Sequence, residues 1–142
     1  MSSGPVIETQ LRVRYAETDA MSIVYHTNYI VWFEVGRGEY FWQQGMNYAD
    51  WERQGVYFPV SEVSARFLAP AHYGDLVTVR AWVQEVRSRE ATFAYEVLLA
   101  ETGQQLATGW TKHLCVDSEG QVVIIPSRLR KVLEGGSEHE QK

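Results

Sequence analysis

The stretch "YIVWFEVGRGEYFWQQG", residues 29–45, decides the fold. Its first seven residues are apolar on nearly every side, which suits a helix enclosed by other layers better than one lying half in water. The spacing predicts a helix over Tyr29–Gln44, with Asn28 or Thr27 as N-cap and Gly45 as the left-handed stop. Gly36 and Gly38 each cost about 1 kcal/mol relative to alanine in a helix interior. Both are therefore expected where the helix closely approaches a sheet. Glu34 falls in the apolar half, where a lone carboxylate is costly. Arg37, one turn on, is its expected partner.

On both sides of this helix the period changes to two. Before it, "IETQLRVRY" sets Ile7, Thr9, Leu11 and Val13 against polar neighbours, as in a half-buried strand. After it, "NYADWERQ" reads as a short helix ending at Gly55, and strands then dominate. In "VYFPVSEVSARFLAP", Pro59 demands a bulge or an edge position. "DLVTVRAWVQEV" puts Val77, Val79, Ala81 and Val83 on one face, and "ATFAYEVLLA" does the same with Phe93, Tyr95, Val97 and Leu99. "QLATGWTKHLCV" sets Leu106, Thr108, Trp110, Lys112 and Leu114 opposite Ala107, Gly109, Thr111, His113 and Cys115. "ETGQ" and "DSEG" are turn sequences. "QVVII" is expected as a last short strand, before Pro126 and a closing helix capped by Ser127. Strands joined this tightly form an antiparallel sheet, and the apolar helix is best hidden if that sheet curls about it. The expected class is α+β: a single domain over residues 1–142, an ordered core over about 7–134, and solvated ends in "MSSGPV" and "EGGSEHEQK".

The totals exclude several function classes. Thirteen Lys and Arg against 18 Asp and Glu leave a net charge of −5, which argues against a nucleic-acid or anionic-membrane surface. The single Cys115 rules out an internal disulfide and any multi-cysteine metal centre, and His72 and His113 lack zinc-site spacing. No leader-like or membrane-spanning run is present, so a cytoplasmic protein is expected. Aromatic residues reach 13%, with 5 Trp and 8 Tyr. That excess fits a pocket or an interface between copies.

Candidate chemistry concentrates in "DAMSIVYHTNY", residues 19–29. Asp19 lies just before the head of the apolar helix, where unpaired N–H groups and the macrodipole favour negative charge. Those donors would stabilise the oxyanion of an acyl carbonyl held there. A carboxylate beside it would attack the carbonyl or deprotonate a water. Asp19 also reads as an ordinary turn aspartate capping nearby amides. His26 pairs with Asp19 in sequence, but no G-x-S-x-G elbow supplies a nucleophile, so its backbone N–H matters at least as much as its ring. "VRSRE" holds two arginines at a tight strand junction, which read either as a solvated hairpin tip or as a phosphate clamp.

Taken together, "YAETDAMSIVYHTNYIVWFEVGRGEYF", "FPVSEVSARFLAPAHYGD" and "TKHLCV" resemble the 4-hydroxybenzoyl-CoA thioesterase-like branch of the hotdog-fold acyl-CoA thioesterases, over about Leu11–Leu133. The resemblance implies the hotdog fold, a curled antiparallel sheet around one long helix, and hydrolysis of an acyl-CoA to free acid and CoA. It puts Asp19 at the family's catalytic aspartate and His26 at the position whose backbone amide polarises the thioester carbonyl. Tyr25, Asn28 and Tyr29 fall in the pocket wall. Phe58, Pro59, Val60 and Ser61 match a strand that borders the acyl site from a neighbouring subunit. Arg87, Arg89 and Arg128 match positions that meet CoA phosphates. It further implies a homo-oligomer, a dimer or a dimer of dimers (a homotetramer), with acyl-CoA as the only small-molecule partner, and no cofactor or metal. Many relatives carry two glycines where this chain has Met21 and Ser22. That change is expected to stiffen or redirect the loop and narrow the acyl pocket. The acyl group, and the choice between nucleophile and general base for Asp19, are left open. So are two alternatives on the same fold: an enoyl-CoA hydratase or dehydratase, and a non-catalytic acyl-CoA-binding module.

Overall fold

Alternating apolar and polar residues become five strands, β1 (Ile7–Arg12), β2 (Val60–Phe67), β3 (Leu76–Val86), β4 (Glu90–Leu99) and β5 (Gln105–Leu114), in the computed structural model of the chain. The structure describes residues 5–135. The solvated ends expected from the sequence lie, at residues 1–4 and 136–142, outside the described residues. All strand pairs are antiparallel, in the order β1-β3-β4-β5-β2. Val77, Val79, Ala81 and Val83 share the inner face with Phe93, Tyr95 and Val97, all buried. On β5, where the sequence leaves the inward face open, the Ala107, Thr111 and His113 row turns inward.

The central helix, α1 (Thr27–Gln43), lies across that inner face. It begins two residues before the expected start, and neither Asn28 nor Thr27 caps it. His26 is the N-cap residue and gives no side-chain hydrogen bond to the helix. The Asn28 amide instead donates to the Glu17 carbonyl at 3.0 Å. Gly45 takes the left-handed conformation, at φ 82°. The two interior glycines part company. A Cβ on Gly36 would sit 2.9 Å from Val79 Cγ1 and 3.2 Å from Ala81 Cβ, whereas one on Gly38 would meet nothing within 4 Å. Only Gly36 marks the close approach to the sheet.

The helix is not enclosed within the chain. Tyr29, Trp32, Phe33, Tyr40 and Phe41 are buried against the sheet, but Val31, Val35 and Trp42 are exposed. One sheet can cover only one stripe of a helix, so an apolar flank remains. The Glu34–Arg37 pair forms at 3.3 Å, but with the burial reversed: the arginine is the buried partner and the glutamate the exposed one.

Two short helices complete the chain, α2 (Tyr48–Arg53) and α3 (Ser127–Leu133). Ser127 is the first residue of α3 rather than its cap, which is Pro126. "QVVII" makes only an isolated bridge, Val116 to Val122, and no strand. Among the described residues no helix is long and apolar enough to cross a membrane.

Candidate active site

A small hairpin delivers Asp19 to the head of α1. Thr18 and Val24 form a bridge, and the Asp19 N–H donates to the Ile23 carbonyl at 2.9 Å. The turn between them needs one left-handed residue, and Ser22 supplies it at φ 66°, unique among the described non-glycine residues. Ser22 thus holds the left-handed conformation that glycine takes without strain. Met21 is 77% exposed and is not among the side chains lining the cavity described below. It does not narrow that cavity within the chain.

Glu17 anchors this hairpin, and sequence reading passed it over. Its buried carboxylate accepts from the Arg14 N–H at 2.8 Å and from Trp32 Nε1 at 2.9 Å, while its carbonyl accepts from the Tyr25 N–H and the Asn28 amide. Burial pushes its carboxyl up, but these donors and the Arg14 guanidinium outweigh it and hold the group below the usual range. Glu17 thus stays charged while it fixes the loop to the first turn of the helix. The only sequence signal for it was an acid set between a strand and Trp32.

Beside the helix head is a cavity of about 410 Å³. Asp19, Tyr25, His26 and Tyr29 line it from the helix side, and Phe67, Leu68 and Pro70 from the end of β2. One Asp19 oxygen accepts the Met21 N–H at 2.8 Å, and the other has no protein donor among the described residues. The N–H groups of Asn28 and Tyr29 are taken by the carbonyls of Tyr25 and His26. Those of His26 and Thr27 meet no acceptor among the described residues, so the positive end of a 17-residue helix keeps two free donors, and His26 lines the cavity. The His26 ring lies 4.5 Å from Tyr25 and 5.8 Å from Phe67, as an aromatic edge to the wall. The Tyr29 hydroxyl accepts the Ala71 N–H at 3.0 Å, and burial raises its phenol above its ordinary value. Asn28 faces Glu17 rather than the cavity.

The remaining predicted residues stand elsewhere. Phe58, Pro59, Val60 and Ser61 enter β2 at the end opposite Phe67. Seven residues at about 3.3 Å each place them about 23 Å away. Arg87 and Arg89 flank the β3–β4 turn, on that same far end of the sheet. Arg87 pairs with Glu85 at 3.3 Å, whereas Arg89 meets no carboxylate among the described residues. Arg128 lies over the Trp51 ring at 5.8 Å, and Arg130, which sequence reading missed, donates to the Arg87 carbonyl. A single copy thus brings together Asp19, Tyr25, His26 and Tyr29 but not the Phe58–Ser61 segment or the arginines. No cluster of three or more potential metal ligands occurs among the described residues.

Comparison with known proteins agrees with this architecture. The family model of the thioesterase-like superfamily matches residues 13–133. YneP of Bacillus subtilis, whose name as an acyl-CoA thioesterase is provisional, is 37% identical over 80% of this chain and 82% of its own. The acyl-CoA thioesterase YbgC of Haemophilus influenzae is 34% identical over 75% of this chain and 78% of its own. Among solved structures, the DHNA-CoA thioesterase of Staphylococcus aureus superposes with a TM-score of 0.78 at 34% identity, covering 84% of this chain and 79% of that one.

Proposed function

Because the chain belongs to the thioesterase-like superfamily, we propose that it is a thioester hydrolase that cleaves an acyl-CoA to the free acid and CoA. The observation that carries this reading is the half-occupied Asp19 carboxylate in a cavity beside two unengaged N–H groups at the head of α1. An acyl carbonyl oxygen seated on the His26 and Thr27 N–H groups gains stabilisation as negative charge develops on it. The free Asp19 oxygen then either deprotonates a water or attacks the carbonyl carbon, and CoA thiolate leaves. The reaction consumes only water and calls for no cofactor or metal. Tyr25, Tyr29 and Phe67 supply an apolar wall for the acyl group.

The working unit in this proposal is a homodimer. β2 is an edge strand carrying exposed Val60, Val63 and Phe67, with exposed Leu68 just past its end, the kind of edge a lone chain leaves open to pairing. Two copies pairing these edges about a two-fold axis must run antiparallel. With the axis near the middle of β2, the Phe58–Ser61 end of one copy lies at the Phe67 end of the other. The same exchange brings Arg87 and Arg89 of one copy toward the cavity of the other, where their forks would meet CoA phosphates. A dimer of dimers would cover the remaining apolar flank of α1. A cytoplasmic location suits the buried free thiol of Cys115.

Asp19→Asn tests the chemistry. The amide keeps the shape and loses the charge, so turnover of acyl-CoA thioesters in a thiol-release assay is expected to fall by about 10²–10⁴-fold with folding retained. Wild-type turnover in that variant overturns the mechanism. Conversion of an enoyl-CoA without thiol release would favour the hydratase, and tight acyl-CoA binding without turnover the binding module.

A further inference from the structure

A line of buried polar groups runs beneath α1, far from the Asp19 cavity. His113 Nδ1 lies 2.9 Å from the Phe58 carbonyl oxygen, and His113 Nε2 lies 2.8 Å from Thr111 Oγ1. Thr111 Oγ1 in turn lies 2.6 Å from the Tyr95 hydroxyl. His113, Thr111 and Tyr95 are all buried. The directions of these bonds follow from the last acceptor. A carbonyl only accepts, so Nδ1 carries the proton. Burial, reinforced by the Arg37 charge, pushes the imidazole down to about 4, so at neutral pH Nε2 is bare and accepts from the Thr111 hydroxyl. Thr111 has then spent its proton and accepts from Tyr95. The Tyr95 oxygen is left with its lone pairs facing Arg37, which acts on it through its charge and a side-chain hydrogen bond.

Both ends of this line are positioned elements. At one end, Arg37 and Phe33 belong to α1, and the Phe33 ring stacks on Tyr95 at 4.6 Å with 5° between planes. Gly109 makes room for that ring, since a Cβ there would stand 2.5 Å from Phe33 Cε2. At the other end, Phe58 precedes Pro59 and the bulge between Val60 and Glu62. The segment is also held by the Leu114 N–H to the Pro59 carbonyl and Ser61 Oγ to the Lys112 carbonyl, each 3.2 Å long, and by the Phe58 N–H to the Tyr48 hydroxyl. Neighbouring Tyr57 makes two 2.9 Å bonds with Val116, and His113 is the side chain that takes the Phe58 carbonyl, at 2.9 Å.

We propose that Tyr95, Thr111 and His113 form a positioning relay that fixes the Phe58–Ser61 segment relative to α1, and so sets the wall that each copy lends to the acyl site of the other. This rests on the thioesterase and dimer reading above. None of the three residues touches the substrate. They act through the Phe58 carbonyl, and only in the tautomer just derived. The expected consequence is on KM rather than on the chemical step, because the segment lends a binding wall and supplies no reacting group.

The test uses Thr111→Val, a near-isosteric change that removes the central hydroxyl and breaks both of its bonds, and Thr111→Ser, which restores it. With an acyl-CoA that the wild type hydrolyses, Thr111→Val is expected to raise KM at least fivefold with kcat changed less than twofold, and Thr111→Ser to return KM to within twofold of wild type. Nitrogen chemical shifts of His113 are expected to report protonated Nδ1 in the wild type. If Thr111→Val lowers thermal stability but leaves KM unchanged, the groups merely fill the core and the proposal is overturned; protonated Nε2 overturns it equally. Should Thr111→Val fail to fold, Tyr95→Phe removes only the outer donor, and an unchanged KM in that variant likewise overturns the relay. A wild type that hydrolyses no acyl-CoA overturns the functional reading itself, and the relay's role with it, an outcome distinct from an active wild type whose variants match it.

Discussion

Acid should destabilise this protein through His113 before it reaches the carboxylates. The imidazole is 0% exposed, and its pKa falls from 6.5 to about 4, through burial first and the Arg37 charge second. In the unfolded chain it takes a proton near 6.5, in the folded chain only near 4. Between those values the unfolded state binds more protons, so lowering the pH favours unfolding. The contribution of neutral His113 is fully present above about 6.5 and is lost as the pH falls through the window toward 4. A shift of about 2.5 units at about 1.4 kcal/mol each gives about 3.4 kcal/mol in all, of which about 2 kcal/mol is lost between pH 7.5 and pH 5. Stopping at pH 5 keeps clear of Glu17. Its donors hold its carboxyl below 4.5, so its stabilisation is lost only at still lower pH. Urea unfolding at fixed protomer concentration would measure the loss in the wild type and in His113→Gln, which has nothing to titrate in this range. The variant is expected to lose about 2 kcal/mol less than the wild type over the same interval, whatever its stability at pH 7.5. Equal losses in the two proteins would refute the assignment of a neutral, buried imidazole.

Two further outcomes follow from backbone geometry. Gly38→Ala should stabilise by about 1 kcal/mol through helix propensity alone, while Gly36→Ala, whose methyl would meet Val79 and Ala81, should lose about 1–3 kcal/mol to overpacking against that gain. Matched urea midpoints for the two variants would contradict the close approach of α1 to β3. Ser22→Gly should leave stability within about 1 kcal/mol, because relief of the left-handed strain offsets the added chain entropy. Ser22→Val, β-branched at φ 66°, should lower it by about 1–2 kcal/mol. Thermal melts in which valine is tolerated as well as glycine would show that this turn has another conformation.

The pattern of residues was enough for the elements but not for what covers them. Period-two runs became β1 and β3–β5, with the expected inward faces on β3 and β4, and Pro59 stands at the mouth of an edge strand with a bulge just inside it. The same apolar count misled on α1. Val31, Val35 and Trp42 read as buried because their hydrophobicity is local, whereas burial depends on which layers a single copy can supply. Glu34 was misjudged for the same reason. An acid in an apolar run looks buried, but the helix turns it outward and turns Arg37 in.

By itself the sequence determined most of the elements, their order, the inner rows of β3 and β4 and the place where a carboxylate meets a helix head. Each of these depends on spacing along the chain, which side-chain chemistry expresses directly. The tertiary structure alone decided that Glu17 is a charged anchor, that Ser22 stands in for glycine, and that His113 is a neutral link in a buried line. It also decided that one copy sets the Phe58–Ser61 segment at the opposite end of β2 from the Asp19 cavity, roughly 20 Å along the strand. Those facts depend on distances across strands and on the loss of water around particular groups, and residue spacing encodes neither.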